Sequence, residues 1–484
     1  MSPVVVVGAG LGGLSAAVHL AAAGRPVSVV EAFDVPGGCC GTVRLGAYRF
    51  DAGPSVLTMP GLLAEVFGAA GQELRSWLPL RRLDPSYRMV FDDGSRLDVR
   101  PEREAMTDQV REVCGPAEAA RYERYRRLLD EMFRVEWPAF IDADMTRLRA
   151  LVRPAALLRL AALGGFRRLD RLAARHLTDP RLIKAHTFQA LYVGLSPQRA
   201  LGIYAVIAHM DTVGGVYFPE HGGMNAIPVA MAALLEKLGV SIRYGVRATK
   251  VETDGDGVTG VLLEDGERLQ ARHVVVACDR LAARRLLPDL ADDWRLRRPR
   301  HSPSCLVMHV GLDRPLADQA HHTLHFGRAW RETFTALEAG RPQPDPSVLV
   351  TSPEPDGEAA PSGHATLSVL EPAPNLRHAD WDQLRPRMEA RLLGRLADLG
   401  YGDLTGAPRL VLDPPAWAAR GHSAGTPFAL DHRLTQTAWL RPSAVARRVP
   451  GLHFAGMYTA PGVGVPPVLI SGRLAAQRIL EGAR

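Results

Sequence analysis

Four consecutive valines, Val4 to Val7, run directly into Gly8-Ala9-Gly10-Leu11-Gly12-Gly13, and no other stretch limits the fold as tightly. An unbroken β-branched run ended by glycine reads as a parallel strand buried on both faces. Gly8, Gly10 and Gly13 satisfy G-x-G-x-x-G, and Leu14 to Ala23 reads as a helix closed by Gly24. Val27 to Val30 is a second strand. Glu31 stands at its end, about 20 residues beyond the glycines. Strand, glycines, helix, strand and acid together form the dinucleotide-binding fingerprint. Gly8 permits the tight turn, Gly10 lets the backbone approach a pyrophosphate, and Gly13 lets helix pack on strand. The helix N-terminus turns its free N–H groups towards phosphates, and Glu31 can accept from a ribose hydroxyl. The competing reading of the glycines is a core turn without a ligand.

A chain of 484 residues exceeds one hydrophobic core, so two or three lobes are expected. With 46% hydrophobic and 23% charged residues it has a soluble globular composition. A formal charge of +6 permits contact with an anionic membrane or with nucleic acid and demands neither. The nucleic-acid reading is set aside, because the arginines are scattered without interleaved aromatics. Cys39, Cys40, Cys114, Cys278 and Cys305 are odd in number and show no metal spacing, which favours a reducing compartment. No stretch supplies the ~20 uninterrupted apolar residues of a membrane span. A cytoplasmic protein with at most peripheral membrane contact is therefore expected.

A second glycine segment, Pro36-Gly37-Gly38, follows Glu31 closely, and Phe50-Asp51-Ala52-Gly53-Pro54-Ser55 follows that. Two such segments beside one fingerprint point to a large extended ligand, with FAD the natural candidate. Tyr87 to Phe91 and Arg96 to Val99 read as a hairpin. Met106 to Met210 is helical in pattern, and within it Arg147 to His176 interleaves arginines with leucines. That stretch can lie on anionic lipid, or it can be a core-facing helix with a solvated arginine face. Ser241 to Glu252, Val258 to Glu264 and Arg272 to Ala277 form a β run that returns the chain to the nucleotide-binding sheet. Ser304 to Leu312, Ser347 to Thr351 and His364 to Leu370 are later strands, and Trp381 to Leu399 is a helix.

These and further stretches resemble the bacterial carotenoid desaturases of the phytoene desaturase type, most closely their actinobacterial branch. The residues carrying the resemblance include Tyr217-Phe218-Pro219 with Gly222-Gly223-Met224, and His321-His322-Thr323 with Phe326-Gly327. Leu434 to Pro442, with Trp439 and Arg441, and Pro461-Gly462-Val463-Gly464-Val465-Pro466 are the most specific. The resemblance implies an α/β fold with a Rossmann-type FAD-binding domain, a discontinuous sheet-based substrate domain and a helical membrane-facing portion. It divides the chain into FAD-binding segments at 1–75, 213–295 and 446–484, and substrate segments at 76–212 and 296–445. The membrane-facing region falls at about 105–210. It further implies non-covalent FAD and an apolar polyene drawn from the bilayer. By position, Gly8, Gly10, Gly13 and Glu31 hold the ADP half, while Gly38, Gly53, Pro54 and Ser55 run past pyrophosphate and flavin. Val246 passes the adenine, and Gly456, Gly464, Val465 and Pro466 line the ring. Two positions depart from the pattern: Cys39 replaces an arginine, and Ala460 replaces a histidine.

A phytoene-like polyene has no heteroatom and no carbonyl to acidify its C–H bonds. Hydride loss to the flavin followed by proton loss is then the implied route, with a protein base helpful but not required. The candidates for acid–base work are Asp211, and Asp144 with Arg147. Their alternative reading is a helix cap or a surface ion pair. His321 and His322 read as structural. A ketolase, an isomerase, a desaturase of another isoprenoid and a flavin-free prenyl-binding module stay open beside the desaturase reading.

Overall fold

Val4–Val7 is the central strand of a five-stranded parallel sheet in the computed structural model, which describes residues 3–145, 153–291, 293–353, 358–377 and 379–482. The order across the sheet is Leu452–Phe454, His273–Val276, Val4–Val7, Val27–Val30, Ser241–Arg243. Val4 is in register with His273 on one side and Val27 on the other. Alternate valines serve different cores, as the two-residue period of a strand requires. Val4 and Val6 pack with the helices Leu11–Ala22, Ala226–Lys237 and Val465–Gly482. Val5 and Val7 pack with an antiparallel meander, Ala248–Asp254, Gly257–Leu263 and Arg268–Gln270.

A second sheet has seven strands in the order Arg409–Leu412, Ser304–Leu312, Ala365–Ala373, Val348–Thr351, His322–His325, Tyr87–Val90, Arg96–Val99. All nine residues of Ser304–Leu312 are buried. Leu306, Met308 and Val310 face the helix Trp381–Leu396, while Cys305 and Val307 face the hairpin Thr42–Leu45 and Tyr48–Asp51. The resulting α/β architecture agrees with the expected fold class.

Several local expectations need correction. The run from Ser241 to Glu252 is two strands, because Gly245 turns the chain at φ +67° after Tyr244. Ser241–Arg243 then ends the parallel sheet, and Ala248–Asp254 begins the meander. The helix predicted from Leu14 already starts at Leu11. Its end is as expected, with Gly24 at φ +76°. His322–His325 is a fully buried strand, although its composition gives no strand signal.

The helix Val465–Gly482 crosses the helix Leu11–Ala22 at almost backbone contact. A Cβ on Gly472 would stand 2.2 Å from the Gly12 oxygen and 2.8 Å from the Ser15 Cβ. The Ser15 hydroxyl donates to the Leu469 carbonyl at 2.8 Å across the same crossing. Gly472→Ala must therefore push these packed helices apart, costing ~1–3 kcal/mol and lowering the apparent Tm by a few degrees. Gly394 lies in an exposed helical turn where a Cβ meets nothing within 4 Å. Gly394→Ala should instead gain ~0.5–1 kcal/mol. Calorimetric scans at one rate check the pair, and shifts of the same sign would contradict this packing.

Candidate functional site

The C-terminal ends of the parallel strands open onto one crevice, where this class of sheet binds its ligands. Two helices begin there: Leu11–Ala22 behind Gly10, and Val465–Gly482 behind Gly464. Gly10 caps the first without any side-chain hydrogen bond, so its N–H groups face the crevice.

The glycines around the crevice fall into two groups. At Gly13 a Cβ would stand 2.0 Å from the Gly8 oxygen, and at Gly53 it would stand 1.9 Å from the Cys39 oxygen. Packing within the chain alone requires these two. Gly10 differs: its φ of −74° and ψ of 170° suit any residue. A Cβ there would find only the Gly37 oxygen, at 4.0 Å. Gly38 and Gly456 also leave room, with nearest contacts at 3.4 Å and 3.7 Å. The chain itself does not fill this cradle, and its shape and N–H donors suit a dinucleotide pyrophosphate.

Glu31 is buried, and its carboxylate accepts from Ala9 N at 2.7 Å and Phe33 N at 3.0 Å. It thereby holds the glycine turn, and each oxygen keeps a second lone pair for a hydroxyl. Val246 N donates to the Glu31 carbonyl at 2.8 Å, which brings Val246 to the same end of the crevice. Gly456 is tied to the last helix, its N–H donating to the Ser471 hydroxyl at 2.8 Å. Val465 and Pro466 are buried at the start of that helix. The Ser55 carbonyl accepts from His322 at 3.0 Å, and Pro54 is half-buried beside it. Gly53 meets the Cys39 oxygen, and together with Ser55 it lines a cavity beside the seven-stranded sheet.

The acid–base candidates differ in their surroundings. Asp144 pairs with Arg478 at 2.5 Å. Arg478 stands 13 residues after Val465, about 20 Å along the helix from its crevice end. The ion-pair reading thus describes Asp144. Arg147 lies outside the described residues. Asp211 is neither a cap nor a surface pair. It is 1% exposed, near the end of the helix Ala205–Thr212. Tyr87 approaches it at 3.4 Å and Gln189 at 3.5 Å. Burial pushes its carboxyl well above the usual range, which favours the neutral, protonated form. His322 is likewise neutral, drawn down to about 4 by burial, and it packs against Tyr87.

Three features of the site were not legible from the residues alone. Cys278 follows the strand His273–Val276, and its N lies 3.6 Å from a Cβ built on Gly8. The thiol is exposed, yet the surrounding chain pushes it up to about 12, as befits the wall of a deep cleft. Only its place at the end of the Val274-Val275-Val276 strand could have marked it. Cys39 lies 3.5 Å from His422, a contact 383 residues apart in sequence. A cavity between Ser55 and the seven-stranded sheet is lined by Phe50, Asp51, Phe218, His309 and Thr351. Burial there draws His309 down to about 3, and its Nδ1 contacts the Ser368 hydroxyl at 2.8 Å.

Comparison with known proteins agrees with this geometry. The chain is 46% identical to the phytoene dehydrogenase of Streptomyces griseus over 98% of its own length and 94% of that protein's. It is 34% identical to a zeta-carotene-forming phytoene desaturase of Myxococcus xanthus, covering 99% and 94% respectively. Wild-type putrescine oxidase, solved with putrescine bound, superposes with a TM-score of 0.63 at 18% identity, covering 100% of this chain and 99% of that one. The fold is therefore that of the flavin amine oxidases, as the sequence resemblance implied. The description "flavin containing amine oxidoreductase" matches residues 11–480, and the chain belongs to that family.

Proposed function

We propose that this protein is an FAD-dependent desaturase acting on phytoene or a closely related polyene, forming carbon–carbon double bonds by loss of a hydride and a proton. The substrate class rests on the desaturase relatives, which match the chain over almost its whole length. The cofactor rests on one observation: Gly10 is unstrained, and the space above it is open. When bound, FAD supplies the hydride acceptor. The chain holds its phosphates on the Gly10 and Gly38 backbone, its ribose on Glu31 and its ring beside Gly456 and Gly464. Non-covalent attachment is supported by the segment from 452 to 470, which offers no cysteine for a thioether link.

Gly10→Val should leave the fold intact, because the backbone is unstrained and a Cβ there meets only the Gly37 oxygen, at 4.0 Å. The variant should lose at least tenfold in FAD affinity, or ~1.4 kcal/mol. Flavin absorbance after gel filtration and the unfolding profile check both halves. Wild-type affinity in the variant would place the cofactor elsewhere.

Burial favours the protonated form of Asp211, which makes it a poor acceptor for a substrate proton. Asparagine reproduces a neutral acid in shape and polarity. Asp211→Asn should therefore retain desaturation within about tenfold, below the ~10²–10⁴ of a general base. Product absorbance in liposomes measures it, and complete loss with FAD still bound would give Asp211 an indispensable proton-transfer role.

We further propose peripheral docking on anionic membrane through the segment around residues 153–176. Among the described residues, no helix is long and apolar enough to cross a membrane. Leu160, Leu169 and Leu172 point into the protein, so the surface consists of exposed Leu158 and Phe166 with Arg167 and Arg171. Each arginine near such a surface is worth about 1 kcal/mol. Charge reversal by Arg167→Glu with Arg171→Glu should weaken binding to anionic liposomes at least tenfold in flotation. Arg159 and Arg168 are less suitable, because they bind Glu131 and the Arg199 carbonyl. Undiminished flotation of the double variant would rule out this face.

A further inference from the structure

Behind the turn that joins Gly456 to Gly464 lies a cation that has no carboxylate of its own among the described residues. Arg441 is 1% exposed and ranks among the largest fully buried side chains. Its guanidinium donates only to backbone carbonyls: Met457 at 2.6 Å, Gln436 at 3.3 Å and Leu430 at 3.5 Å. Its Nε has no acceptor. That Nε would lie 3.3 Å from a Cβ on Gly462, so it is aimed at the turn itself.

The neighbouring groups do not neutralise it. Asp431 is the nearby carboxylate, but Arg433 binds both its oxygens, with Nε distances of 2.8 and 2.9 Å. Gln436 takes Oδ1 as well, at 2.8 Å. Tyr204 donates to the His432 carbonyl at 2.7 Å and accepts from the Thr437 hydroxyl at 2.9 Å, and burial raises its phenol well above the usual range. His432 packs against Gly462, and burial draws it well below the usual imidazole range. Asp431, Arg433 and Arg441 together carry one net positive charge, with the Arg433 side chain 36% exposed and the other two buried. Burial draws Arg441 down to about 10, which still leaves it charged at neutral pH.

A clamp on three carbonyls does not by itself call for a cation. A neutral amide could bridge the same carbonyls, and burying an unpaired charge costs several kcal/mol. Such a charge is retained where a negative charge comes and goes beside it.

We propose that Arg441 is the fixed countercharge for the flavin ring when that ring accepts hydride. The inference rests on the flavin reading above. In that step a substrate C–H bond breaks, and the hydrogen leaves with both electrons for the ring. The ring gains one negative charge, the substrate one positive charge, and the latter is discharged by later loss of a proton. Arg441 acts on this charge through the low-dielectric turn. It is a positioning residue for charge rather than a group in contact with substrate.

The test measures the bound flavin without any turnover. Sulfite, an anion that adds to oxidised flavin and leaves the ring negative, reports ring electrostatics through its Kd. Arg441→Met should raise that Kd at least tenfold. It should also lower the two-electron potential by about 30 mV per tenfold. Arg441→Lys keeps the charge but lacks the planar fork, and it should stay within about threefold of wild type. Asp431→Asn removes a neighbouring negative charge, so it should tighten sulfite, and it supplies the test of opposite sign if the methionine variant fails to fold. A sulfite Kd unchanged in Arg441→Met with flavin bound would overturn the inference. Equal loss in the lysine and methionine variants would do the same, and so would weaker sulfite binding in Asp431→Asn. A wild-type protein that binds no flavin would instead overturn the reading beneath it.

Discussion

The rest of the structure depends on the contact between Gly13 and the Gly8 oxygen, where a Cβ would stand 2.0 Å from that atom. This approach seats the helix Leu11–Ala22 directly on the sheet and fixes where its N–H groups point. Gly12 extends the contact, since a Cβ there would reach Gly456 N at 3.0 Å. Gly472 closes it from the C-terminal helix. Segments more than 440 residues apart in sequence thereby share one crevice rim. The cofactor cradle is a consequence of that packing, because both ends of the chain must arrive before it has two sides.

The fingerprint was legible because every element of it is local. Strand, turn, helix and acid fall within 31 residues, and each is specified by its own residue types. What Gly53 is for was not legible. Gly10 and Gly53 look alike in sequence, yet one leaves open space and the other meets a carbonyl. That difference depends on Gly37 and Cys39, which the fold brings alongside. His322–His325 was missed as a strand for a related reason. Its histidines suit a sheet only because Ser55, Tyr87 and Tyr401 supply partners from distant segments.

Periodicity alone gave two readings of the basic stretch after residue 153, and the structure divides it between them. Leu160, Leu169 and Leu172 are core, so most of the leucine pattern is explained by packing. Leu158 and Phe166 remain outside, 72% and 47% exposed, beside arginines that the core does not use. An amphipathic pattern reports how many faces are apolar. It does not report which solvent each face meets, because lipid and protein interior select the same side chains. The portion of the stretch before residue 153, with Arg147, falls outside the described residues.

The electrostatics of the interior follow one logic. Asp211 is held neutral as an acid, and His309, His322 and His432 are held neutral as bases, with burial the leading cause in each. Such an interior is poor at moving protons and well suited to an apolar substrate. It gives up no binding energy to compete with water for charge. Arg441 is the exception, a charged group with only carbonyls for partners, directly behind the turn assigned to the ring. A reaction that takes hydride from a neutral hydrocarbon creates charge only while it runs. On the proposed reading, a cation held only by carbonyls, unlike the paired Asp431 with Arg433 and Arg280 with Asp293, would stabilise that charge while leaving the resting hydrocarbon undisturbed. On that reading the asymmetry would also be directional, favouring electrons moving towards the ring and opposing their return to the polyene.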